Sequence, residues 1–348
     1  MHLDFWRNKS VFITGHTGFK GAWLVRMMQL AGAKVTGYAL SPERGAAYEK
    51  IVDEKNLHSV IGDIRDFGSL KAAFDEAKPE VIFHMAAQPL VLDAFAHPGY
   101  TFDVNVQGTV NVLECIRQSN SVRSVVAVTT DKVYHNNEWV YGYRETDALG
   151  DGELYAASKA CAEIAVASYN ETFLKAKEIA VSTARAGNVI GGGDISANRI
   201  VPDCIRAAQN NAAIVVRNPY SVRPYQHVLE PLFAYLMIAQ KQWEGAQYAG
   251  QYNIGPNESS CVTTAVLVEM FCNIWGGGLT WSSSSNANAP HESRLLKLDC
   301  AKMRALFSWQ PIWDIETSIE KTVEWEKCEN KQNITDRQIR GYEMKWMN

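Results

Sequence analysis

The chain has 348 residues, of which 47% are hydrophobic and 21% are charged, and its formal net charge is −4. This composition is ordinary for a globular protein of one large or two modest domains, and it lacks the concentrated basic face that nucleic-acid binders carry. No apolar run approaches the ~20 residues of a membrane span, and a polar stretch precedes the first strand, so we expect neither a membrane anchor nor a secretory signal. The 7 cysteines are scattered without paired spacing, which favours a reduced, cytoplasmic protein with no disulfide framework and no metal site.

The first strong feature is a strand followed by a glycine-rich turn and a helix. Residues 10–14 form an apolar run rich in β-formers, and helical periodicity extends to about residue 31. Glycines let the backbone turn tightly and approach a pyrophosphate, while the helix N-terminus supplies amide donors. The intervening turn therefore predicts a dinucleotide site built from Gly15, Thr17, Gly18, Phe19, Lys20 and Gly21.

Further strands alternate with helices up to residue 184. Strands are predicted at 34–39, 59–61, 81–85, 125–128 and 179–184, and helices at 67–77, 101–118 and 155–174. This alternation predicts an α/β fold with a doubly wound parallel sheet of six strands, whose ligands lie at the carboxyl ends of the strands. An acid often follows the second strand in NAD-selective folds. Leu40 and Ser41 stand there, with Arg44 close by, so both NAD and NADP stay open.

After residue 184 the predicted elements become shorter. Helices are expected near 201–209, 230–243 and 262–275, strands near 214–216 and 252–254, and two final helices at 299–306 and 315–327. We interpret residues 1–184 as a dinucleotide-binding domain, to which about 220–250 return. Residues 185–219 and 251–348 are predicted to form a smaller C-terminal α/β cap that binds the substrate.

Tyr155 and Lys159 are four residues apart on a predicted helix, which places a phenol and an ammonium on one face. A nearby ammonium lowers the pKa of a phenol, and a phenolate can take a proton from an alcohol while hydride leaves its carbon. The spacing alone is common by chance. Together with the glycine turn and with Thr130 after the fifth strand, it predicts oxidation of an alcohol.

These segments resemble the extended short-chain dehydrogenase/reductase superfamily, whose Rossmann fold the resemblance therefore implies. The resemblance rests on the glycine turn, Asp63-Ile64, the Thr130/Tyr155/Lys159 set and Arg185-Ala186-Gly187-Asn188. More specific segments resemble the CDP-glucose 4,6-dehydratases. These are Phe19-Lys20-Gly21, Phe83 to Val91, Thr130-Asp131-Lys132, and Arg223-Pro224-Tyr225-Gln226-His227.

The resemblance implies a closed redox cycle on a nucleotide sugar, for which CDP-glucose is the best match. Tyr155 would take the proton of O4 as hydride leaves C4, Thr130 would hydrogen-bond the same oxygen, and Lys159 would hold Tyr155 and the cofactor ribose. Water would then be lost across C5 and C6 before hydride returns to C6. Related dehydratases use an Asp-Glu pair for the elimination. Here we expect Asp131 to be the general acid and Lys132 the base at C5.

The remaining predicted ligand contacts divide into two sets. Besides the glycine turn, Tyr155 and Lys159, the cofactor set comprises Asp63, Ile64, Ala86, Ala87, Gln88 and Asn105. Arg223 is the strongest candidate of the substrate set, because a guanidinium can donate two parallel hydrogen bonds to a diphosphate. The other members of that set are Asn188, Arg199, Arg217, His291 and Arg294. His84 is predicted to be a buried strand histidine, and relatives imply a homodimer or homotetramer paired through helices 101–118 and 155–174.

Two segments depart from the dehydratase pattern. Leu92 stands where an arginine is usual, Ala94-Phe95 replaces a more polar pair, and 151–154 replaces Gly-Tyr-Asp-Pro. These departures bear on the identity of the sugar and of the nucleotide base, whereas every residue proposed for the chemistry is present. Two alternatives stay open. One is a 4-epimerase of the same fold, against which the Asp131-Lys132 pair argues. The other is a non-catalytic dinucleotide-binding regulator, against which the intact Thr130, Tyr155 and Lys159 argue.

Overall fold

The computed structural model describes residues 3–284 and 295–347. Its strands are β1 (Ser10–Thr14), β2 (Lys34–Ala39), β3 (His58–Ile61), β4 (Val81–His84), β5 (Ser124–Val128), β6 (Ala180–Ala186), β7 (Val189–Ile190), β8 (Ile214–Val216), β9 (Val222–Pro224), β10 (Gln226–His227), β11 (Gln251–Ile254), β12 (Cys261–Thr263) and β13 (Trp281–Ser283). Its helices are α1 (Phe19–Leu30), α2 (Ala47–Ile51), α3 (Phe67–Ala77), α4 (Val91–Ala96), α5 (Pro98–Phe102), α6 (Gly108–Gln118), α7 (Leu154–Tyr169), α8 (Ile200–Gln209), α9 (Leu229–Glu244), α10 (Thr264–Trp275), α11 (Ala301–Phe307), α12 (Ile315–Lys327) and α13 (Lys331–Met347).

The main sheet has seven parallel strands in the order β11-β6-β5-β4-β1-β2-β3. Apolar runs such as β1 and β5 suit this sheet because helices cover both of its faces. The predicted doubly wound parallel sheet is confirmed, but the expected number of six strands is wrong. The additional strand, β11, pairs with β6 although its residues were assigned to the cap. The division into two domains stays a prediction, and we propose that β11 be counted with the sheet.

Two apolar cores cover the faces of the sheet. On one face, Trp23 of α1 and Leu232 of α9 pack in the same core as Tyr342 of α13. On the other face, Phe74 of α3 and Leu113 of α6 pack with the outer surfaces of β4 and β5. Sheet and helices are therefore held together by ordinary burial of apolar surface, and the carboxyl ends of the strands stay available for ligands.

Helix α13 is absent from the sequence analysis, which ended the chain with two helices. Its buried positions are Ile334, Thr335, Gln338, Ile339 and Tyr342, which repeat at the helical period. Two of these five side chains are polar, and the helix as a whole is hydrophilic, so its apolar stripe is too weak to be recognised without its partner surface on α1 and α2.

The cap is a separate apolar cluster in which α8, α10 and α12 pack together. Its short strands pair locally, β8 with β13 and β9 with β12. Strand β9 carries Arg223. Within residues 3–284 and 295–347, no helix combines the length and the hydropathy needed to cross a membrane. All seven cysteines are free thiols.

A buried carboxylate ties α13 to the start of α9. Glu230 accepts hydrogen bonds from the backbone N–H groups of Ile312 (3.1 Å) and Trp313 (2.7 Å) and from the hydroxyl of Tyr342 (2.6 Å). Burial raises the pKa of Glu230 from 4.5 to about 7, and the hydrogen bonds oppose this only in part. The folded protein therefore keeps this proton at pH values where the unfolded chain has lost it.

This proton predicts a pH-dependent stability. The contribution of Glu230 is fully present below pH 4.5 and is lost as the pH rises to about 7, which amounts to about 3 kcal/mol of unfolding free energy. We expect Glu230→Gln to remove this dependence, so that the stability difference between variant and wild type shifts in favour of the variant from pH 5 to pH 8. Denaturant unfolding across that range measures it, with exposed Glu244→Gln as control. Parallel pH curves for wild type and Glu230→Gln would contradict the assignment.

Candidate active site

The glycine turn after β1 is closely packed. Gly15 has a φ of +76°, and a Cβ there would lie 2.7 Å from the backbone nitrogen of Ala86. A Cβ on Gly21 would lie 2.1 Å from the carbonyl oxygen of Gly15. Because no side chain fits at either position, both must be glycine for β1, α1 and the end of β4 to meet. The predicted cofactor residues Ala86 and Ala87 lie half-buried at this meeting point.

The N-terminus of α1 is suited to an anion. Gly18 is its N-cap and offers no side chain to the free N–H groups of the first turn. Such groups and the helix dipole bind phosphate well. The hydroxyl of Thr17 donates to the carbonyl of Leu40 (2.9 Å), which connects the turn to the end of β2, and Phe19 lies half-buried beside Gly191. These features fit the pyrophosphate of a dinucleotide.

An amide network joins the end of β4 to α7. Asn105 accepts from the N–H of Gln88 (2.9 Å) and donates to the carbonyl of Gln88 (3.1 Å) and to the Ser158 hydroxyl (2.9 Å). Ser158 in turn donates to the carbonyl of Tyr155 (2.7 Å). Asn105 lies in a π-helical turn, a deviation frequent at functional sites. The network holds the predicted cofactor surface in register with the catalytic helix.

Two other predicted cofactor residues have side chains that are already engaged. The carboxylate of Asp63 pairs with the guanidinium of Arg65 (2.7 Å), which lowers the pKa of Asp63. Ile64 is buried in the core beneath Gly108, where an added Cβ would lie 2.7 Å from its Cγ2. Any contact with the cofactor would therefore come mainly from the backbone of these two residues, and their assignment stays a prediction.

The predicted catalytic residues meet where β5 ends and α7 begins. Thr130, Asp131, Tyr155 and Lys159 are all buried. The Thr130 hydroxyl donates to Asp131 Oδ1 (3.1 Å) and also acts on the phenol of Tyr155, whose pKa burial raises and Thr130 lowers. Lys159 Nζ donates to the carbonyl of Val128 (3.1 Å). The structure thus brings together a hydroxyl, a phenol, a carboxyl and a lysine, as the sequence predicts.

The pKa of the phenol differs from the expectation. We expected Lys159 to lower the pKa of Tyr155, but burial raises this pKa to about 12, opposed by the Thr130 hydrogen bond and by Arg199. Burial also lowers the pKa of Lys159 to about 8, against the carboxylate of Glu163. Desolvation outweighs the charge effect because both groups are enclosed by protein.

Asp131 has the properties of a proton donor. Burial raises its pKa, while Lys132, the Thr130 hydrogen bond and Arg223 oppose that shift. Its second oxygen, Oδ2, is buried without a hydrogen-bond partner among the described residues. Lys132 is half-buried, and its charge also acts on the half-buried carboxyl of Glu153. An acid with a raised pKa therefore lies next to the Thr130 hydroxyl.

Glu153 explains one of the departures from the dehydratase pattern. It is the N-cap of α7 and accepts from the N–H groups of Tyr155 (2.6 Å) and Ala156 (3.2 Å). A side-chain acceptor at this position satisfies donors that a helix otherwise leaves free. The altered segment 151–154 therefore still starts the catalytic helix immediately before Tyr155.

A buried ion pair behind the catalytic strand escaped the sequence analysis. Glu163 pairs with Arg185 (2.9 Å), both side chains are 2% exposed, and the carboxylate also accepts from Thr129 (2.5 Å) and Thr183 (2.7 Å). The pair fixes the end of β5 relative to α7 and β6. The spacing of Tyr155, Lys159 and Glu163, one helical turn apart each time, is the signal that could have revealed Glu163.

The predicted substrate residues are distributed unevenly. Arg223 is buried and its charge lowers the pKa of Asp131, whereas Arg199 pairs with Asp194 (3.4 Å) and acts on Tyr155. Asn188 is half-buried in the loop after β6. Arg217 lies in a different contact, where it donates to Asn198 Oδ1 (3.2 Å). His291 and Arg294 lie outside the described residues.

His84 is buried, as predicted. One ring nitrogen contacts the hydroxyl of Thr14 (2.8 Å) and the other that of Thr109 (2.9 Å), and burial lowers its pKa to about 3. With both nitrogens engaged, His84 has a structural role, and its prediction as a strand histidine is confirmed. In the part of the chain that the structure describes, no group of three or more His, Cys, Asp and Glu side chains is arranged to hold a metal ion.

A parallel sheet of this order, with a glycine turn after its first strand and a buried tyrosine and lysine at its carboxyl edge, defines an extended short-chain dehydrogenase/reductase. The family model described as NAD dependent epimerase/dehydratase family matches residues 11–255. The chain belongs to this family, and its cofactor is NAD.

Comparison with individual proteins narrows the family. CDP-glucose 4,6-dehydratase of Salmonella typhimurium (strain LT2) is 42% identical over 332 residues, which cover 93% of this chain and 92% of the relative. Among solved structures, dTDP-glucose 4,6-dehydratase from Bacillus anthracis in complex with NAD has a TM-score of 0.78 at 24% identity, covering 93% of this chain and 99% of that one. UDP-glucose 4-epimerase from Thermotoga maritima with UDP-glucose has a TM-score of 0.77 at 19% identity, covering 90% and 97%. Dehydratases and epimerases therefore share this fold.

Proposed function

We propose that the protein is a sugar-nucleotide 4,6-dehydratase that converts CDP-glucose into CDP-4-keto-6-deoxyglucose. The observation that carries this proposal is the buried Asp131, an acid with a raised pKa in direct hydrogen-bond contact with Thr130. Oxidation at C4 needs Thr130, Tyr155 and Lys159, but loss of the 6-hydroxyl also needs a proton donor. The 42% identity to a CDP-glucose 4,6-dehydratase supports the choice of substrate.

The redox part of the reaction depends on three buried side chains. NAD, when bound, supplies the acceptor for the hydride of C4 and later its donor to C6. Tyr155 takes the proton of O4, and the Thr130 hydroxyl binds the same oxygen. Lys159, whose Nζ donates to the carbonyl of Val128 (3.1 Å), holds Tyr155 and the cofactor ribose in this proposal. The end of β5 is held for this task by its contact with Glu163.

The elimination uses the next two residues of the chain. The 4-ketone acidifies the hydrogen at C5, Lys132 removes it as the base in its neutral amine form, and Asp131 protonates the departing 6-hydroxyl. The proton that Asp131 gives up leaves with the water. Lys132 holds the proton taken from C5, and C5 is protonated again when hydride returns to C6. Thr130 and Asp131 are consecutive residues of one turn. In this proposal Thr130 acts at the oxygen on C4, and Asp131 acts at the leaving hydroxyl on C6.

Two arginines are suited to the substrate's diphosphate. Arg223 is buried close to Asp131, and Arg199 lies near Tyr155 at the edge of the cap. Guanidinium groups bind phosphate oxygens with directed pairs of hydrogen bonds. Asn188, Arg217, His291 and Arg294 are proposed as further contacts from the cap.

We also propose a cytoplasmic homodimer or homotetramer that supplies deoxysugars for lipopolysaccharide O-antigen. The support for self-association is a set of exposed apolar side chains on α4, α5, α7 and the turn after α7. They are Leu92, Phe95, Tyr100, Ile164 and Phe173, between 38% and 61% exposed. Leu92 and Phe95, two of the departures from the dehydratase pattern, belong to this surface.

One assay separates the proposal from its alternatives. The protein is incubated with NAD and CDP-glucose, and the nucleotide sugar is analysed by mass spectrometry and NMR. The proposal expects loss of one water molecule and a 4-ketone. A C4 epimer of unchanged mass would identify a 4-epimerase, and no conversion of any sugar in a panel of CDP, dTDP, UDP and GDP sugars would identify a non-catalytic regulator. Dehydration of a different nucleotide sugar would change the proposed nucleotide base of the substrate.

A further inference from the structure

Two side chains beside the active site, the half-buried Lys20 and the fully buried Tyr235, have no assigned role. Lys20 is the second residue of α1, and Tyr235 lies in the middle of α9. The Lys20 ammonium lies 6.0 Å from the centroid of the Tyr235 ring. Tyr235 is fully buried. The two helices pack against one face of the sheet, and these side chains meet near its carboxyl edge.

The charges that act on Lys20 belong to the reacting centre. Burial lowers the pKa of Lys20 to about 7, repulsion from Lys159 and Arg199 lowers it further, and attraction to Asp131 opposes them. The phenol of Tyr155 likewise acts on Tyr235, adding to the effect of burial in raising its pKa. Lys20 and Tyr235 therefore lie at the end of the site where the substrate reacts rather than where the adenosine of the cofactor would bind.

Neither side chain has a hydrogen-bond partner in residues 3–284 and 295–347. The hydroxyl of Tyr235 is buried and unbonded, and Lys20 Nζ forms no hydrogen bond or ion pair with these residues. Buried polar groups are nearly always paired, because an unpaired one retains the cost of its lost hydration. A fully buried, unbonded hydroxyl next to a half-buried ammonium indicates a ligand that supplies oxygen atoms to both.

The local charge balance points to an anionic ligand. Lys20, Lys159 and Arg199 are three cations, Arg199 is already paired with Asp194 (3.4 Å), and the pKa of Asp131 is raised. Positive charge is thus in excess around Lys20. A phosphate group would offset this excess and would also be a strong acceptor for an ammonium.

We propose that the side chains of Lys20 and Tyr235 bind the hexosyl phosphate of the sugar nucleotide and so position C4 of the sugar against Tyr155. This inference rests on the proposed function. It divides the role of Lys20, because its backbone remains part of the predicted cofactor turn while its ammonium serves the substrate. Lys20 and Tyr235 are therefore substrate-binding residues contributed by the dinucleotide-binding part of the chain.

The test measures the two ligands separately in Lys20→Met and Tyr235→Phe. Methionine keeps an unbranched side chain that is one atom shorter, and it removes the charge. We expect Lys20→Met to weaken CDP-glucose binding about 10- to 100-fold, the range for one lost charge-assisted hydrogen bond. We expect Tyr235→Phe to weaken it about 3- to 10-fold, as for a neutral bond. The NAD Kd, measured by titration, should change by less than about threefold in both variants, and exposed Lys34→Met is the control.

The opposite pattern would overturn the proposal. A higher NAD Kd with unchanged CDP-glucose binding in Lys20→Met would assign the Lys20 side chain to the cofactor. Unchanged binding of both ligands in both variants would show that Lys20 and Tyr235 have only a structural role. Tyr235→Phe removes a single oxygen and serves as the test if Lys20→Met does not fold. Binding is measured at equilibrium, so the result is independent of turnover. If wild type fails to dehydrate CDP-glucose, the proposed function fails first, and the same variants are compared on whichever nucleotide sugar the wild type binds.

Discussion

Tyr155→Phe is expected to lower kcat for CDP-glucose dehydration by about 10²- to 10⁴-fold, the range for loss of a general acid–base group. Phenylalanine fills the same buried space but cannot accept the proton of O4, and Thr130 alone offers no base. Both the first oxidation and the overall turnover should therefore fail together.

Steady-state assays of ketone formation and titration with NAD measure this effect. The NAD Kd should stay within about threefold of the wild-type value, because the substitution removes only one hydroxyl. An unchanged Kd also shows that the variant is folded. Tyr141→Phe is a matched control, since that tyrosine is 70% exposed. Near-normal turnover in Tyr155→Phe would remove Tyr155 from the mechanism.

Asp131→Asn is expected to separate the two half-reactions. An amide has the same shape and can still accept the Thr130 hydrogen bond, but it cannot protonate the leaving 6-hydroxyl. We expect elimination to slow by about 10²- to 10⁴-fold, while oxidation at C4 slows far less. Reduced cofactor should then accumulate, and its near-ultraviolet absorbance in a single-turnover experiment follows it directly.

The pH dependence of the elimination rate is an independent test of Asp131 as the acid. Burial raises the pKa of this carboxyl, so its acid form persists to higher pH than that of an ordinary aspartate. Elimination by wild type should decline as the pH rises through the raised pKa, and Asp131→Asn should lack that decline. Exposed Asp93→Asn serves as control. Equal slowing of oxidation and elimination in Asp131→Asn would show that Asp131 is not the acid for the 6-hydroxyl.

Several features could be predicted because their signals are local. Strand β1, helix α3 and helix α12 have the boundaries expected from apolar periodicity and from turn residues. The glycine turn is also local, since Gly15 and Gly21 must lack side chains for their own neighbours to approach. Tyr155 and Lys159 are one helical turn apart, so their common face follows from helix geometry alone.

Other features depend on partners that are distant in the chain. The sequence places β11 in the cap because it is only four residues long and two of these residues are polar. Only its pairing with β6 shows that it extends the main sheet. The partly polar buried stripe of α13 acquires meaning only when it packs on α1 and α2. The buried pair of Glu163 and Arg185 requires α7 and β6 to be adjacent.

The pKa values show most clearly which properties follow from the sequence and which depend on the tertiary structure. Chain order was enough to put a phenol, an ammonium, a hydroxyl and a carboxyl into one site, because parallel strands present their carboxyl ends at one edge. Whether these groups hold their protons depends on how completely the protein excludes water around them. Burial raises the pKa of Tyr155 and lowers that of Lys20, and it encloses Tyr235 beside the reacting centre. Desolvation is a property of packing in three dimensions, and no spacing of residues along the chain reports it.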